Sequence, residues 1–345
     1  MFLSYENNLI NYSLYNIIKI YGFKEIYYYN LMEQKIAKFL SENYVEDYKF
    51  RYNYSEDFIK WYLDDNSLNV CIYSNSDNEE LIGFICGKKI NVSLFGKHCV
   101  IAEIDFLCVK KGERNKKMCP LLINKIQKKF NDINIYEAIF TSEHNYPNKI
   151  THCDYYVRFI NIKKLYDIKY INNLLDEKQF ELPKIKGNKS LIKITNYIEC
   201  LNLYNKYYRK FDCYELFDEN SFIKRLDNPH IKIFGLMENN KIIDFISYYS
   251  IDINVININV INTSTKDGYL YYYTNNSNNL HKMISLLLHK LKEDNIDTFI
   301  ALNIMENTED IMLDLKFINK KSNYNYYFFQ NNNKIINNMM AKILF

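Results

Sequence analysis

The stretch from Glu103 to Ile123, E-I-D-F-L-C-V-K-K-G-E-R-N-K-K-M-C-P-L-L-I, concentrates the residues of this chain most able to do chemistry. Its apolar opening predicts a buried strand, and Met118, Leu121, Leu122, Ile126 and Phe130 then recur at helical spacing, with Pro120 tolerated in the first turn. Between them lies a turn crowded by Lys110, Lys111, Arg114, Lys116 and Lys117. A helix start leaves N–H groups unpaired at the positive end of its dipole, so cations gathered there suit a phosphate or diphosphate. An anonymous basic run is by default a solvated turn, so these residues alone leave both readings open. The other reactive side chains offer less. Eight cysteines (Cys71, Cys86, Cys99, Cys108, Cys119, Cys153, Cys200 and Cys213) form no C-x-x-C and read as reduced, mostly buried thiols. The six histidines include no H-E-x-x-H, and the neighbours His152 and Cys153 lack further ligands, so no metal is expected.

The elements that must position this segment follow from periodicity. Leu31, Ile36, Phe39 and Leu40 predict an amphipathic helix over 30–42, and a second fits 55–63. Apolar runs at 68–73, 81–92 and 99–109, with turn residues between them, predict an antiparallel meander. The helix from Met118 and a strand over 136–141 complete this unit. The same order returns with helices near 197–209 and 221–226, strands at 231–237, 241–251 and 269–274, a helix at 280–291 and a strand at 298–304. Helices, meander, helix and strand occurring twice predict an α/β fold made by duplication. The polar stretch 176–190, with Pro183 and Gly187, is the expected boundary, giving halves of 1–183 and 184–345. Composition adds limits rather than function. The 33 Tyr and 22 Phe sit beside abundant Asn, Lys and Ile, all with A/T-rich codons, so tyrosine stripes are not read as aromatic chemistry. A net charge of +3 points away from nucleic acid or an anionic membrane as main partner. No apolar run approaches the roughly 20 residues that span a bilayer, which predicts a soluble, cytoplasmic protein rather than an integral membrane one.

Residues 103–123 resemble the N-myristoyltransferase family, whose strand E-I-N-F-L-C-V runs into a basic turn and then A-P-x-L-I. Further similar segments are Asn43-Tyr-Val-Glu-Asp47, Phe50-Arg-Tyr-Asn-Tyr-Ser55 with Trp61, Phe140-Thr141, Tyr155, the run 244–249, the run 268–274 and the run 301–307. They are collinear over about residues 30–345. The resemblance implies an α+β fold of two fused acetyltransferase-like (GNAT-like) halves with pseudo-twofold symmetry, coenzyme A on the first and peptide largely on the second. It implies transfer of a myristoyl group from myristoyl-CoA, a co-substrate rather than a prosthetic group, to the N-terminal glycine of peptides and proteins, by a monomer. Phe106 and Leu107 are then expected to offer backbone amides to the thioester oxygen, where charge grows in the transition state. Cys108, Val109, Glu113, Arg114, Asn115, Lys116, Lys117, Met118, Cys119 and Pro120 are implied around coenzyme A, Cys119 through its amide. Tyr44, Val45, Asp47, Phe50, Tyr52, Tyr54, Tyr155, Ser247 and Asn303 are implied to face the peptide. Thr141 is implied to help hold the glycine amine, and the carboxylate of Phe345 to accept its proton, since an ordinary α-amino group has a pKa of roughly 7.7–8.0.

Departures from the family pattern carry their own expectations. Asp105 stands where the family has asparagine, which suggests either a second carboxylate near the amine, titrating as a unit with the first, or a surface-facing aspartate with no role. The loop after Asp47 is two residues shorter and carries Tyr48 and Lys49 where acids are usual, so selection for a downstream basic residue should weaken. Val157 replaces a common peptide-contacting histidine, Asn303 replaces a common acid, and the family's N-terminal coenzyme-binding strap has no evident counterpart. Two rival expectations stay open: a silent homologue that binds acyl-CoA or glycine peptides, and an acyl-CoA transferase of different chain length or acceptor.

Overall fold

A computed structural model describes residues 24–25, 32–44, 49–74, 79–172, 177–185, 189–256, 264–321, 324–330 and 334–343. They fall into two compact units, the first drawn from the described residues within 1–47, 51–89 and 101–138, the second from those within 48–50, 90–100 and 139–345.

In the first unit β1 (Lys24–Glu25), β3 (Ser67–Tyr73), β4 (Leu81–Leu94) and β5 (Lys97–Val109) lie side by side in that order, the two long strands β4 and β5 also contributing residues to the second unit. Helix α1 (Met32–Asn43) packs on α2 (Glu56–Tyr62), which follows the short strand β2 (Phe50–Asn53) and whose N-terminus is capped by the Ser55 side chain accepting from the Phe58 amide. Helix α3 (Met118–Asn131) covers the other sheet face. Its Met118, Leu121, Leu122, Ile126 and Phe130 meet Val70, Ile72, Ile82, Ile85, Ala102 and Val109 in one core. Two glycines of β4 let the helix approach: a Cβ on Gly87 would sit 2.5 Å from the Phe130 ring, and one on Gly83 3.2 Å from Met118. After α3 the chain returns beside β5, where the Ala102 amide donates to Glu137 O at 2.9 Å.

The second unit contains a sheet ordered β15 (Ile318–Asn319), β8 (Tyr155–Phe159), β14 (Thr298–Leu302), β13 (Ser264–Tyr273), β12 (Lys241–Val255), β11 (Ile231–Glu238) and β9 (Ser190–Lys193). The meander β11–β12–β13 is antiparallel, and β14 joins β13 in parallel after α7 (Leu280–Glu293). A parallel neighbour needs such a crossover, which is why a helix stands between these two strands. Strands β6 (Ala138–Ser142), β16 (Tyr324–Phe329) and β7 (Thr151–Cys153) neighbour one another, and β10 (Cys213–Glu215) pairs antiparallel with Val92–Leu94 of β4. Helices α5 (Tyr197–Tyr208) and α6 (Glu219–Leu226) bring a dense aromatic set, with Tyr204 and Tyr208 stacked at 3.7 Å.

The expected meanders, both long helices and the two-sheet mixed α/β class are all present. Differences are of extent and of omission: periodicity stops β12 at Ile251 where it continues to Val255, and β7, β8 and β16 had no prediction. The chain has two compact units, but they are not separated by one cut in the sequence.

Candidate active site

Strand β5 carries a backbone irregularity three residues before its end. Phe106 takes φ +55°, the left-handed region that a bulky side chain rarely occupies. Alternation breaks there: Asp105 and Phe106 are both buried, Leu107 is exposed, and Cys108 and Val109 are buried again. The Phe106 ring is enclosed by Tyr44, Tyr54 and Tyr62, with centroids at 5.4, 5.2 and 5.0 Å, each tilted steeply against it. Such edge-on contacts match the positive rim of one ring to the negative face of the next. The structure thus brings together Asp105, Phe106, Tyr44 and Tyr54, all expected at the site, and adds Tyr62, which was not. Tyr62 was overlooked because tyrosines were discounted as codon bias, although Phe58, Ile59 and Tyr62 follow a helical spacing onto one buried face.

Asp105 does not face solvent. The Tyr62 hydroxyl donates to its Oδ2, and the Cys86 thiol donates to its carbonyl oxygen at 3.6 Å. Buried Glu103 and Lys88 lie on the same strands, the Lys88 ammonium 4.5 Å from the Tyr62 ring centroid and 3.7 Å from Asp64. Burial first, then the charge of Asp105, pushes the Tyr62 hydroxyl pKa well up, so it stays a proton donor at working pH.

The basic turn follows directly. The Lys110 amide donates to Ile82 O at 2.9 Å, tying the turn to β4, while Arg114 Nε donates to Val109 O at 3.2 Å and Lys116 pairs with Glu113 at 2.9 Å. Asn115 and Lys117 both have left-handed backbone, at φ +67° and +57°. Lys117 is the N-cap of α3 but contributes no side-chain capping bond, and the first turn holds no acid. Ordinary caps occupy these amides with Ser, Thr, Asp or Asn; here Lys116, Lys117 and Arg114 leave the helix start suited to an anion. Met118 is anchored in the core, whereas Cys119 and Pro120 are exposed. Partial loss of hydration at this exposed residue, only partly offset by Arg114, raises the Cys119 thiol pKa, consistent with an amide rather than a nucleophilic role.

In the second unit Thr141 donates to the Tyr324 hydroxyl at 2.8 Å, and the Tyr324 ring meets Tyr155 at 5.0 Å. Thr141 therefore bonds a distant side chain rather than its own backbone. Asn303 accepts from the Asp154 amide at 2.8 Å, fixing the start of β8 beside Tyr155. Phe50 packs on Tyr170 at 5.0 Å, and in the first unit Tyr52 packs on Tyr54 at 5.9 Å. Ser247 lies fully buried, its hydroxyl donating to Tyr272 O at 2.7 Å. Val45, Asp47 and Phe345 lie outside the described residues. The chain leading toward Phe345 is held inside the unit: Ala341 N–H donates to Cys213 O at 2.8 Å, and fully buried Lys342 pairs with Glu215 at 3.0 Å. Burial alone would raise Glu215, but Arg225, Lys342 and the Tyr272 hydroxyl together hold it down at about 2. Among the described residues no cluster of His, Cys, Asp and Glu could hold a metal ion, and no helix is long and apolar enough to cross a membrane.

Comparisons with known proteins cover most of the chain. Residues 5–153 match the family model for the N-terminal domain of myristoyl-CoA:protein N-myristoyltransferase, and residues 168–343 match that for its C-terminal domain. The glycylpeptide N-tetradecanoyltransferase of Kluyveromyces lactis is 29% identical over 324 residues, covering 84% of this chain and 71% of the relative. That of Candida albicans is 29% identical over 334 residues, covering 87% and 73%. The crystal structure of Saccharomyces cerevisiae N-myristoyltransferase with bound myristoyl-CoA superposes with a TM-score of 0.83 at 26% identity, covering 91% of this chain and 84% of that one. A GCN5-related N-acetyltransferase from Anabaena variabilis, at 11% identity and a TM-score of 0.51, shares the fold alone. With a strained strand end opening onto a basic helix start and both family domains matched in order along it, the chain belongs to the myristoyl-CoA:protein N-myristoyltransferase family.

Proposed function

We propose that the chain moves the myristoyl group of myristoyl-CoA onto the N-terminal glycine amine of protein substrates. The observation that carries the reading is the left-handed backbone at Phe106, three residues before β5 gives way to a basic turn and an uncapped helix start, in a member of this family. A turned peptide unit at a strand end can aim N–H groups out of the ladder, and the amides of Phe106 and Leu107 are assigned to the thioester oxygen. Lys116, Lys117, Arg114 and the first amides of α3 take the diphosphate; Cys108, Val109, Glu113, Asn115, Met118, Cys119 and Pro120 line the same stretch. The glycine nitrogen attacks the carbonyl carbon, the oxygen charge rests on the two amides, and collapse breaks the carbon–sulfur bond. The amine proton passes to a carboxylate, assigned to Phe345 with Asp105 as its partner, and the thiolate leaves and takes up a proton. Burial of residues 340–343 supports this role for the tail, since it anchors the chain two residues from that carboxylate.

Thr141, presented beside Tyr324 and Tyr155, is assigned to the amine. Tyr44, Val45, Asp47, Phe50, Tyr52, Tyr54, Tyr155 and Asn303 are assigned to the peptide, while Ser247, being buried, acts through the strand it holds. On this assignment acyl-CoA belongs mainly to residues 1–183, and the peptide is met by residues of both 1–183 and 184–345. All eight cysteines are free, which supports a reducing compartment such as the cytoplasm; a monomer, with no nucleic-acid or metal partner, is the state assigned. One experiment tests the reading. Purified protein is incubated with acyl-CoAs of graded length and peptides with or without N-terminal glycine, and products are weighed by mass spectrometry. A myristoyl adduct confined to glycine peptides is expected; no transfer with any acyl-CoA leaves a binding homologue, and a different chain length or acceptor reassigns the substrate. Deleting Leu344 and Phe345 should abolish turnover while acyl-CoA binding survives.

A further inference from the structure

A bulky residue in the left-handed region is strained and persists only where its surroundings over-determine it. At Phe106 the surroundings act on both ends of one peptide plane. That plane carries the Asp105 carbonyl on one edge and the Phe106 N–H on the other, antiparallel because the bond is trans. The carbonyl edge accepts from the Cys86 thiol at 3.6 Å. Tyr62, reaching down from α2, grips both flanking side chains: its hydroxyl donates to the Asp105 carboxylate, and its ring sits edge-on to the Phe106 ring at 5.0 Å and 80°. Tyr62 is itself 1% exposed, its ring covered by Lys88 on one side and Trp61 near its edge, so it has little freedom to yield. Gripping residues 105 and 106 by their side chains fixes the rotation of the peptide between them, and with it the direction of the Phe106 N–H.

We propose that Tyr62 is a positioning residue for acyl transfer, clamping Asp105 and Phe106 so that the Phe106 amide is aimed before the thioester arrives. The inference rests on the reading that this amide receives the thioester oxygen. It also gives the aspartate at 105 a task in the ground state: it is the acceptor by which α2 holds the strand end. Tyr44 and Tyr54 complete the enclosure of Phe106 through their rings. Tyr62 joins ring and carboxylate in one side chain, so its loss frees both flanks of the plane at once. Aimed donors matter because a displacement on the order of 1 Å costs about a hundredfold in rate.

Three variants test the clamp: Tyr62→Phe, which keeps the ring and removes the hydroxyl, Asp105→Ala, which removes the acceptor, and their combination. Hydrogen exchange at the Phe106 amide, followed by NMR in the whole protein, reads the clamp without turnover, and steady-state kinetics read its use. Tyr62→Phe is expected to speed exchange at Phe106 by about tenfold while amides of β3 and α3 keep their rates, and to lower kcat about tenfold with KM for myristoyl-CoA unchanged. The combined variant should lose no more kcat than Asp105→Ala alone, because the hydrogen bond that Tyr62→Phe removes is already gone there. Unchanged exchange at Phe106 in Tyr62→Phe overturns the clamp, as do multiplicative losses of kcat in the combination or a loss expressed only in KM. If the wild type transfers no acyl group while exchange at Phe106 still responds to Tyr62→Phe, the clamp stands and the functional reading falls.

Discussion

Thr141 shows how a single hydroxyl can be prepared for a task. It donates to Tyr324, which leaves its lone pairs available as acceptors for an ammonium or amine. Thr141→Val removes those lone pairs with little change of shape. The expected outcome is a roughly tenfold loss in kcat/KM for glycine peptides, about 1.4 kcal/mol, with myristoyl-CoA affinity by calorimetry unchanged. A second residue-scale case is Lys117, whose contribution to an anion site combines charge with an unusual backbone at φ +57°. Lys117→Gly keeps that backbone without strain and deletes the charge. It should raise KM for myristoyl-CoA several-fold at low salt, with the difference shrinking as salt screens the turn. A KM that does not move at any ionic strength would remove Lys117 from the diphosphate site.

At the scale of elements, the parallel step from β13 to β14 hides two acids. Asp267 pairs across to Thr298, whose hydroxyl donates to it at 2.6 Å, and neighbouring Asp297 is engaged by Lys164 at 2.6 Å and by the Lys266 amide at 2.9 Å. Burial above all, with Asp297 adding repulsion against the help of Thr298, pushes Asp267 up to about 7. Its unfolded value is near 3.9. The folded state therefore holds this proton more tightly than the unfolded chain. The stability it contributes is complete below about pH 3.9 and is lost as pH rises through about 7. Asp267→Asn keeps an acceptor for Thr298 and cannot ionise. Its Tm should exceed that of the wild type most clearly at pH 8, with the gap closing as pH falls toward 4. Equal gaps at both values would show that Asp267 does not titrate in the fold.

For the molecule as a whole, the proposed reaction has an order. The thioester must lie against Phe106 before an amine can attack it, so myristoyl-CoA is expected to bind first and peptide second. Calorimetry should show peptide binding in the presence of a non-hydrolysable myristoyl-CoA analogue and little without it. Equally tight peptide binding to the protein alone would contradict the order. The same experiment with peptides differing in one downstream lysine addresses specificity, since the family resemblance implies an acid where this chain has Lys49; discrimination below about tenfold, or 1.4 kcal/mol, is expected.

Local pattern by itself determined much of this protein. Apolar spacing placed α3 from Met118 to Phe130 and the strands of both meanders, because helix and strand periods are properties of a few consecutive residues. The run from Glu103 to Ile123 likewise announced a strand, a basic turn and a helix start, since charge and capping chemistry are local as well. Tertiary structure alone decided the rest. The bond from Tyr62 to Asp105 spans 43 residues and that from Thr141 to Tyr324 spans 183. No spacing rule links residues so far apart. Strand β8 was not foreseen because its five residues, all at least partly covered, carry no alternation, and its partner β14 lies about 140 residues onward. The left-handed turn at Phe106 is the clearest case. Nothing in the residue type favours it, and the three tyrosines that close around the ring come from positions that no local pattern connects to Phe106.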